Sequence, residues 1–300
     1  MDEKTLAIEL RNVTKNFGSH LAVHDVSLKV FKGEVFGFLG PNGAGKSTTI
    51  RMLLGQLNPH SGRIEIFGRN AVRERLSVHK NIGYLSGDMA LDTQLTGMQF
   101  LQFIARLHGG VSKTAITSLA HRLDCDLGKK IGKLSRGNRQ KVGLVAALMH
   151  DPDLLILDEP TSGFDPLIQS EFNKIILDYK KQGRTVFISS HILSEVQHLC
   201  DRVAFIREGK IIEVGDMDEL AETTLKRVRL IVQSVADVHH VHAIAGVQNV
   251  VVDGAHVTFQ FSGHVRDLIT SLARLSVVDL QIEDVDLEEL FMRYYRGGKK

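Results

Sequence analysis

Gly40-Pro41-Asn42-Gly43-Ala44-Gly45-Lys46-Ser47 combines closely spaced glycines with one lysine and one hydroxyl. The spacing, Gly then four residues then Gly-Lys-Ser, fits a loop that cradles phosphates. Glycines let the backbone curl close to a ligand, because no Cβ stands in the way. Backbone N–H groups at a helix start point toward an anion, and the helix dipole favours it. Lys46 can reach the β- and γ-phosphates of a nucleoside triphosphate, and the Ser47 hydroxyl can ligate Mg²⁺. Two further clusters could complete such a site. Asp158-Glu159 follows the apolar run Leu154-Leu155-Ile156-Leu157, and His191 follows Thr185-Val186-Phe187-Ile188-Ser189-Ser190. One carboxylate can hold Mg²⁺ and the other can take a proton from water. An imidazole at His191 can hydrogen-bond a γ-phosphate or cap a helix. Phe17, upstream in a loop, is placed to stack on a base or to pack a turn.

These groups need elements that bring them to one edge. Val35-Phe36-Gly37-Phe38-Leu39 reads as a buried strand, and Thr48 to Leu54 as the helix that the loop opens. Leu154 to Asp158 and Thr185 to Ser190 read as central parallel strands. Open α/β sheets bind ligands at the C-terminal ends of such strands. Leu6 to Val13 alternates like an edge strand, Ala22-Val23 and Val26 to Val30 form a second, and Arg63 to Gly68 and Ile82 to Leu85 are further strands. Thr96 with Gln99 predicts a capping box opening a helix through Leu107, which ends at Gly109-Gly110. Residues from about 88 to 133 read as helical throughout, an insert between strands of the core. Ser135 starts the next helix, Arg136 to Met149. Ile192 to Leu199 reads as a helix, Arg202–Ile206 and Lys210–Gly215 as a hairpin, and Met217 to Ala221 as a short helix.

From about residue 225 the pattern changes. Strand, helix, strand, strand, helix, strand come in order: 226–233, 235–245 with Ser234 as cap, 247–252, 256–261, 264–275 and 277–282. That order predicts a small α+β ferredoxin-like domain. Leu287 to Tyr295 adds an amphipathic helix. His239, His240 and His242 suit either a metal site or an exposed polar helix face. The expected division is 1–224, with a helical subdomain at about 88–150, and 225–300.

Composition narrows the function classes. Net charge is +2 and charged residues make up 24%, a balance that argues against a protein that coats nucleic acid. Hydrophobic residues make up 43%, enough for a sizeable core. Cys125 and Cys200 stand far apart with no Cys-x-x-Cys, which fits a reduced compartment. Met1 to Lys4 lacks the apolar core of a signal peptide. No apolar run approaches the roughly 18 residues that span a bilayer. A membrane role is therefore expected to be peripheral.

Together these residues resemble the ATP-binding subunit of an ABC transporter over roughly residues 6 to 222. Gly40 to Ser47 is similar to Walker A, and Leu154 to Glu159 to Walker B. Leu134-Ser135-Arg136-Gly137-Asn138 stands where the family signature belongs. Ser162 to Asp165 is similar to the D-loop, His191 to the switch histidine, and Phe17 to the aromatic that stacks on adenine. The resemblance implies a P-loop NTPase core, a mostly parallel sheet with antiparallel N-terminal strands and a helical insert. It implies ATP and Mg²⁺ bound by Gly40, Pro41, Asn42, Gly43, Ala44, Gly45, Lys46, Ser47 and Thr48, with Ser47 and Asp158 on the metal. It further implies catalysis by Glu159, His191 and Lys46, and a head-to-tail dimer in which Ser135 and Gly137 of one subunit complete the site of the other. The partner implied is a separate membrane permease, with the chain cytoplasmic on the inner face of the membrane, no nucleic acid bound, and export as the direction. The C-terminal part resembles the extension found on drug- and antibiotic-exporting ABC ATPases. Alternatives of another class are a soluble ABC ATPase acting on ribosomes or DNA, and a regulatory subunit with weak hydrolysis. The second is motivated by Gly87 at the position of the family's Q-loop glutamine, with Asp88 beside it.

Overall fold

The computed structural model describes residues 5–87, 91–193, 195–217, 219, 226–233 and 236–284. They divide into two compact units, Met1–Asp216 and Met217–Lys300. The expected helix at Leu287 to Tyr295, the Ser234 cap, Asp88 and most of the helix expected at Met217 to Ala221 fall outside the described residues.

In the first unit, β1 (Leu6–Phe17), β2 (His20–Phe31), β4 (Ser61–Ile66) and β5 (Arg69–Asn70) form an antiparallel sheet ordered β2-β1-β4-β5. The first two are longer than their apolar alternation suggests, and Phe17 ends β1 instead of lying in a loop. A second sheet is ordered β10-β9-β3-β8-β7-β6: β3 (Val35–Leu39), β6 (Ile82–Leu85), β7 (Leu154–Asp158), β8 (Thr185–Ser190), β9 (Arg202–Arg207) and β10 (Lys210–Asp216). Its strands are parallel except β10, which pairs antiparallel with β9 as a hairpin. β3, β7 and β8 are buried at every residue. Covered on both faces, such strands carry continuous apolar runs, here Val35–Leu39, Leu154–Leu157 and Val186–Ile188. Helix α1 (Lys46–Leu53) contributes Ile50, Met52 and Leu53 to a core shared with Phe36, Phe38, Ile156 and Phe187 of the parallel sheet and Ile8, Val26 and Ile64 of the antiparallel one.

Helix α2 (Arg75–His79) precedes β6. The insert is less helical than expected. It holds α3 (Gly97–Leu107) and α4 (Lys113–Arg122), and α5 (Arg136–Leu148) comes after it. The Thr96–Gln99 capping box at the start of α3 is present, with both reciprocal hydrogen bonds. Residues 123–130 leave the helical path because they serve α3. The Gly97 N–H donates to Lys129 O (3.2 Å) and the Met98 N–H to Leu127 O (3.0 Å). Those are two of the donors that a helix start leaves unpaired. Helix α6 (Pro166–Lys181) is capped by Asp165, which accepts from Leu167 N and Ile168 N. Among the described residues of Ile192 to Leu199, turns stand in place of the expected helix. These turns mix spacings: Val196 N–H donates to Leu193 O and Cys200 N–H to Val196 O.

The second unit has the ferredoxin-like order: β11 (Lys226–Val232), α7 (Ala236–His242), β12 (Val247–Asp253), β13 (His256–Phe261), α8 (Val265–Leu272) and β14 (Val277–Asp284). Its antiparallel sheet is ordered β12-β13-β11-β14. Val228, Leu230, Val257 and Phe259 pack with Val241, Leu268 and Leu272 in a separate core. His239, His240 and His242 lie exposed on α7, opposite buried Val238 and Val241. Among the described residues no group of three or more His, Cys, Asp or Glu side chains is arranged to hold a metal.

Candidate functional site

The ends of β3, β7 and β8 lie level. Leu39 pairs with Ser190 and Asp158 with Ser189, so the segments leaving these strands all emerge at one sheet edge. Gly40 N–H donates to Ser190 O at 3.2 Å, which ties the loop's first residue to that edge. The loop then turns through Asn42 and Gly43, Asn42 exposed, and buried Ala44. Gly45 sits at φ +108°, and a Cβ there would stand 2.6 Å from Ala22 O. Glycine is required on both counts. Gly45 leads directly into α1, with Lys46 its first residue, Ser47 exposed and Thr48 half-buried.

Lys46 turns back into the loop. Its Nζ donates to Gly40 O (2.6 Å) and Pro41 O (3.2 Å) and lies 3.3 Å from Glu159 Oε1. Glu159 also faces His191: its Oε2 lies 2.6 Å from His191 Nδ1. One carboxylate therefore bridges an ammonium and an imidazole that the sequence separates by 145 residues (191 − 46). Glu159 has φ +50°, a left-handed backbone that costs a non-glycine residue roughly 1 kcal/mol or more. Its N–H is held by Ser189, through both the backbone oxygen and Oγ at 3.2 Å. Asp158 is buried, and its Oδ1 accepts from Ser189 Oγ at 2.5 Å. Burial raises the pKa of the nearby Tyr84 hydroxyl, and the charge of Asp158 adds to the rise.

Ser135 caps α5, its Oγ accepting from Asn138 N–H at 3.3 Å, and Ser135 and Arg136 are exposed. Gly137 is a glycine for a reason within its own chain. A Cβ there would stand 2.4 Å from Gly163 O, so α5 and the segment Ser162 to Asp165 pack backbone to backbone. Phe17 is 48% exposed, with Lys15 Nζ 5.5 Å from its ring centroid. Gly87 lies against the end of β7: a Cβ there would meet Asp158 O at 3.2 Å.

The structure thus gathers Lys46, Asp158, Glu159 and His191 at one edge, with the glycine loop beside them. Such a loop, opening a helix, binds phosphates, and a carboxylate at that edge can activate water. A relative of similar build decides the family. The bacitracin transport ATP-binding protein BcrA of Enterococcus faecalis is 32% identical over 303 residues, covering 97% of this chain and 97% of the relative. The chain belongs to the ATP-binding proteins of ABC transporters.

Other comparisons agree. The ABC transporter family model matches residues 23–162, and a model for an AAA domain matches residues 129–196, overlapping it over 129–162. BcrA of Bacillus licheniformis is 41% identical over 222 residues, 73% of this chain and 72% of the relative. The daunorubicin resistance ATP-binding protein DrrA3 of Streptomyces coeruleorubidus is 35% identical over 301 residues, 95% of each. A solved ATP binding subunit of an ABC transporter superposes with TM-score 0.66 at 28% identity, covering 72% of this chain and 92% of that one. The dimeric MJ0796 cassette bound to ADP and Pi shares the fold, with TM-score 0.65 at 21% identity over 70% of this chain and 98% of that one. The chain is accordingly an ATP-binding subunit with ATPase chemistry, and it has the α/β cassette fold with antiparallel N-terminal strands.

The sequence reading of this ABC ATPase misses Ser189. It also misses Glu195, whose Oε2 accepts from Thr161 Oγ1 (2.8 Å) and Ser190 Oγ (3.2 Å). The available signal is the Ser-Ser pair itself, two hydroxyls ending an otherwise apolar buried strand, which call for partners.

Proposed function

We propose that this chain hydrolyses Mg²⁺–ATP on the inner face of the membrane to drive a separate permease that exports drug- or antibiotic-like molecules. The names of its relatives support the direction and the cargo class: bacitracin transport and daunorubicin resistance. Among the described residues no helix is long and apolar enough to cross a membrane, so the path for cargo would come from the permease. The observation that carries the catalytic reading is the convergence of Lys46 and His191 on Glu159.

In this reading Gly40 to Thr48 wraps the phosphates, with backbone N–H groups and Lys46 balancing their charge. The Ser47 hydroxyl and the Asp158 carboxylate are hard oxygen donors of the kind Mg²⁺ takes, so the donor set fits the ion. Bound there, Mg²⁺ would neutralise charge on the phosphate oxygens. Glu159 accepts a proton from the attacking water, and His191 orients Glu159 and the γ-phosphate. Phe17 stacks on adenine. Ser135 and Gly137, on the exposed start of α5, close over the triphosphate of a second copy in a head-to-tail dimer. ATP then holds the two halves together, and hydrolysis releases them.

Glu159→Gln tests this. It should bind ATP, hydrolyse it at least about 100-fold more slowly, and elute as a dimer in ATP but as a monomer in ADP. Near-native turnover would remove Glu159 as the base. Recovery of the chain in membranes only when its permease is co-expressed would support the transport role, and equal recovery without a permease would count against it.

A further inference from the structure

Ser189 is fully buried at the end of β8, opposite Asp158 in the β7–β8 register. A hydroxyl offers one donor and two acceptor lone pairs. Here the donor goes to Asp158 Oδ1 at 2.5 Å, and an acceptor shares the Glu159 N–H with the backbone oxygen of Ser189, each at 3.2 Å. The two acids face different tasks. Asp158 must present an oxygen to a cation, and with Oδ1 engaged its Oδ2 is left over among the described residues. Glu159 must hold its carboxylate at the mouth of the loop from a backbone at φ +50°. One hydroxyl touches both, and nothing in the glycine loop does the same.

We propose that Ser189 is a positioning residue for ATP hydrolysis, orienting the Asp158 carboxylate for the divalent cation and fixing the backbone from which Glu159 reaches water. Metal use and turnover are then coupled through a single side chain. This rests on Asp158 as metal ligand and Glu159 as base in the proposed reaction. Groups that orient a metal ligand typically carry 10–100-fold in metal affinity or activity.

Ser189→Ala removes the hydroxyl's donor and acceptor and leaves the backbone oxygen that also accepts the Glu159 N–H. Its kcat should fall about tenfold with little change in KM, and the Mg²⁺ concentration for half-maximal activity should rise several-fold. A readout free of turnover is the tightening of a fluorescent ADP analogue on adding Mg²⁺, which should shrink in the variant while binding without Mg²⁺ stays as in the wild type. Ser189→Thr keeps the hydroxyl and should recover both properties. Ser189→Cys, close in volume and a weaker donor, should fall between and covers the case in which threonine overpacks the strand. Wild-type kcat and Mg²⁺ dependence in Ser189→Ala would overturn the proposal. So would a loss of kcat with unaltered Mg²⁺ dependence and no recovery in either hydroxyl or thiol variant, which marks a purely structural serine. Glu159→Gln run alongside separates the two readings: turnover in that variant would sink the role of Glu159, whatever Ser189 does.

Discussion

Glu159→Gln should change nucleotide affinity as well as turnover, and the structure gives the size. Glu159 Oε1 lies 3.3 Å from Lys46 Nζ, with the lysine side chain 6% exposed and the glutamate 21%. At an effective dielectric of about 20 the bare attraction is about 5 kcal/mol. Desolvation of both groups cancels most of it, and hydrogen bonds to charged groups net about 1.5–3 kcal/mol. A phosphate that claims Lys46 must compete with this carboxylate. The amide of glutamine keeps the shape and removes the charge, so most of that competition disappears. Taking the low end, about 1.5 kcal/mol, ADP should bind close to tenfold more tightly to the variant. ADP is the right probe because it isolates binding from hydrolysis, and isothermal titration calorimetry at fixed Mg²⁺ reads Kd directly. His191→Ala leaves the Lys46 contact in place and should shift ADP affinity far less. Equal or weaker ADP binding by Glu159→Gln would refute the argument, because the Lys46–Glu159 contact would then not be what a phosphate displaces.

Three further outcomes rest on the same geometry and its surroundings. Gly137→Ala drives a Cβ to within 2.4 Å of Gly163 O, a backbone atom that cannot swing aside. It should cost about 1–3 kcal/mol and lower Tm by about 2–4 °C per kcal/mol, together with ATPase activity; an unchanged Tm would remove the packing argument. Phe17→Ala should weaken ATP binding about fivefold, from lost stacking of about 1 kcal/mol, with Tm unaltered because the ring is 48% exposed; equal affinity in a nucleotide titration would take Phe17 off the adenine. His108 and His150 stack with ring centroids 3.8 Å apart, and burial pushes both below the usual 6.5, the charge of His108 adding to the effect on His150. The folded chain therefore binds fewer protons than the unfolded chain just under pH 6.5, so stability falls as pH drops through that value toward the lower folded ones. Melting curves from about pH 7.5 to 5 should show this fall, and His150→Gln should flatten it; an equally steep fall in the variant would clear the pair of responsibility.

Local patterns are legible in the sequence. The apolar run before Gly40, the glycine spacing, the Thr96–Gln99 box and the Ser135 helix start each depend on residues within a turn or two, and each stands where its pattern put it. The insert reads as too helical for the opposite reason. Residues 127 and 129 give their carbonyls to the start of α3 some thirty residues earlier, a demand that no local propensity records. After His191 the described residues mix i,i+3 and i,i+4 backbone bonds, Val196 N–H to Leu193 O beside Cys200 N–H to Val196 O, where the sequence pattern suggests a regular helix. The bridge of Lys46, Glu159 and His191 depends on strand order: only when β8 lies between β3 and β7 do the three chain ends meet.

Two glycines show how motif and packing can disagree about cause. Gly137 falls in the stretch that resembles the family signature, and the resemblance implies that it completes the site of a second subunit. Its own chain already forbids a side chain there, because Gly163 O occupies the place of the Cβ. The glycine therefore lets the start of α5 pack backbone to backbone on the loop before α6. Gly87, which the sequence resemblance puts at the family's glutamine position, packs closely against the end of β7. The chain after β6 runs so close to β7 that a Cβ would meet Asp158 O at 3.2 Å, tighter than ordinary contact. A side chain at that position would need its neighbours at the strand end carrying Asp158 to give by a few tenths of an ångström. The chain after β6 thus lies against the strand end that carries Asp158 and leads into Glu159.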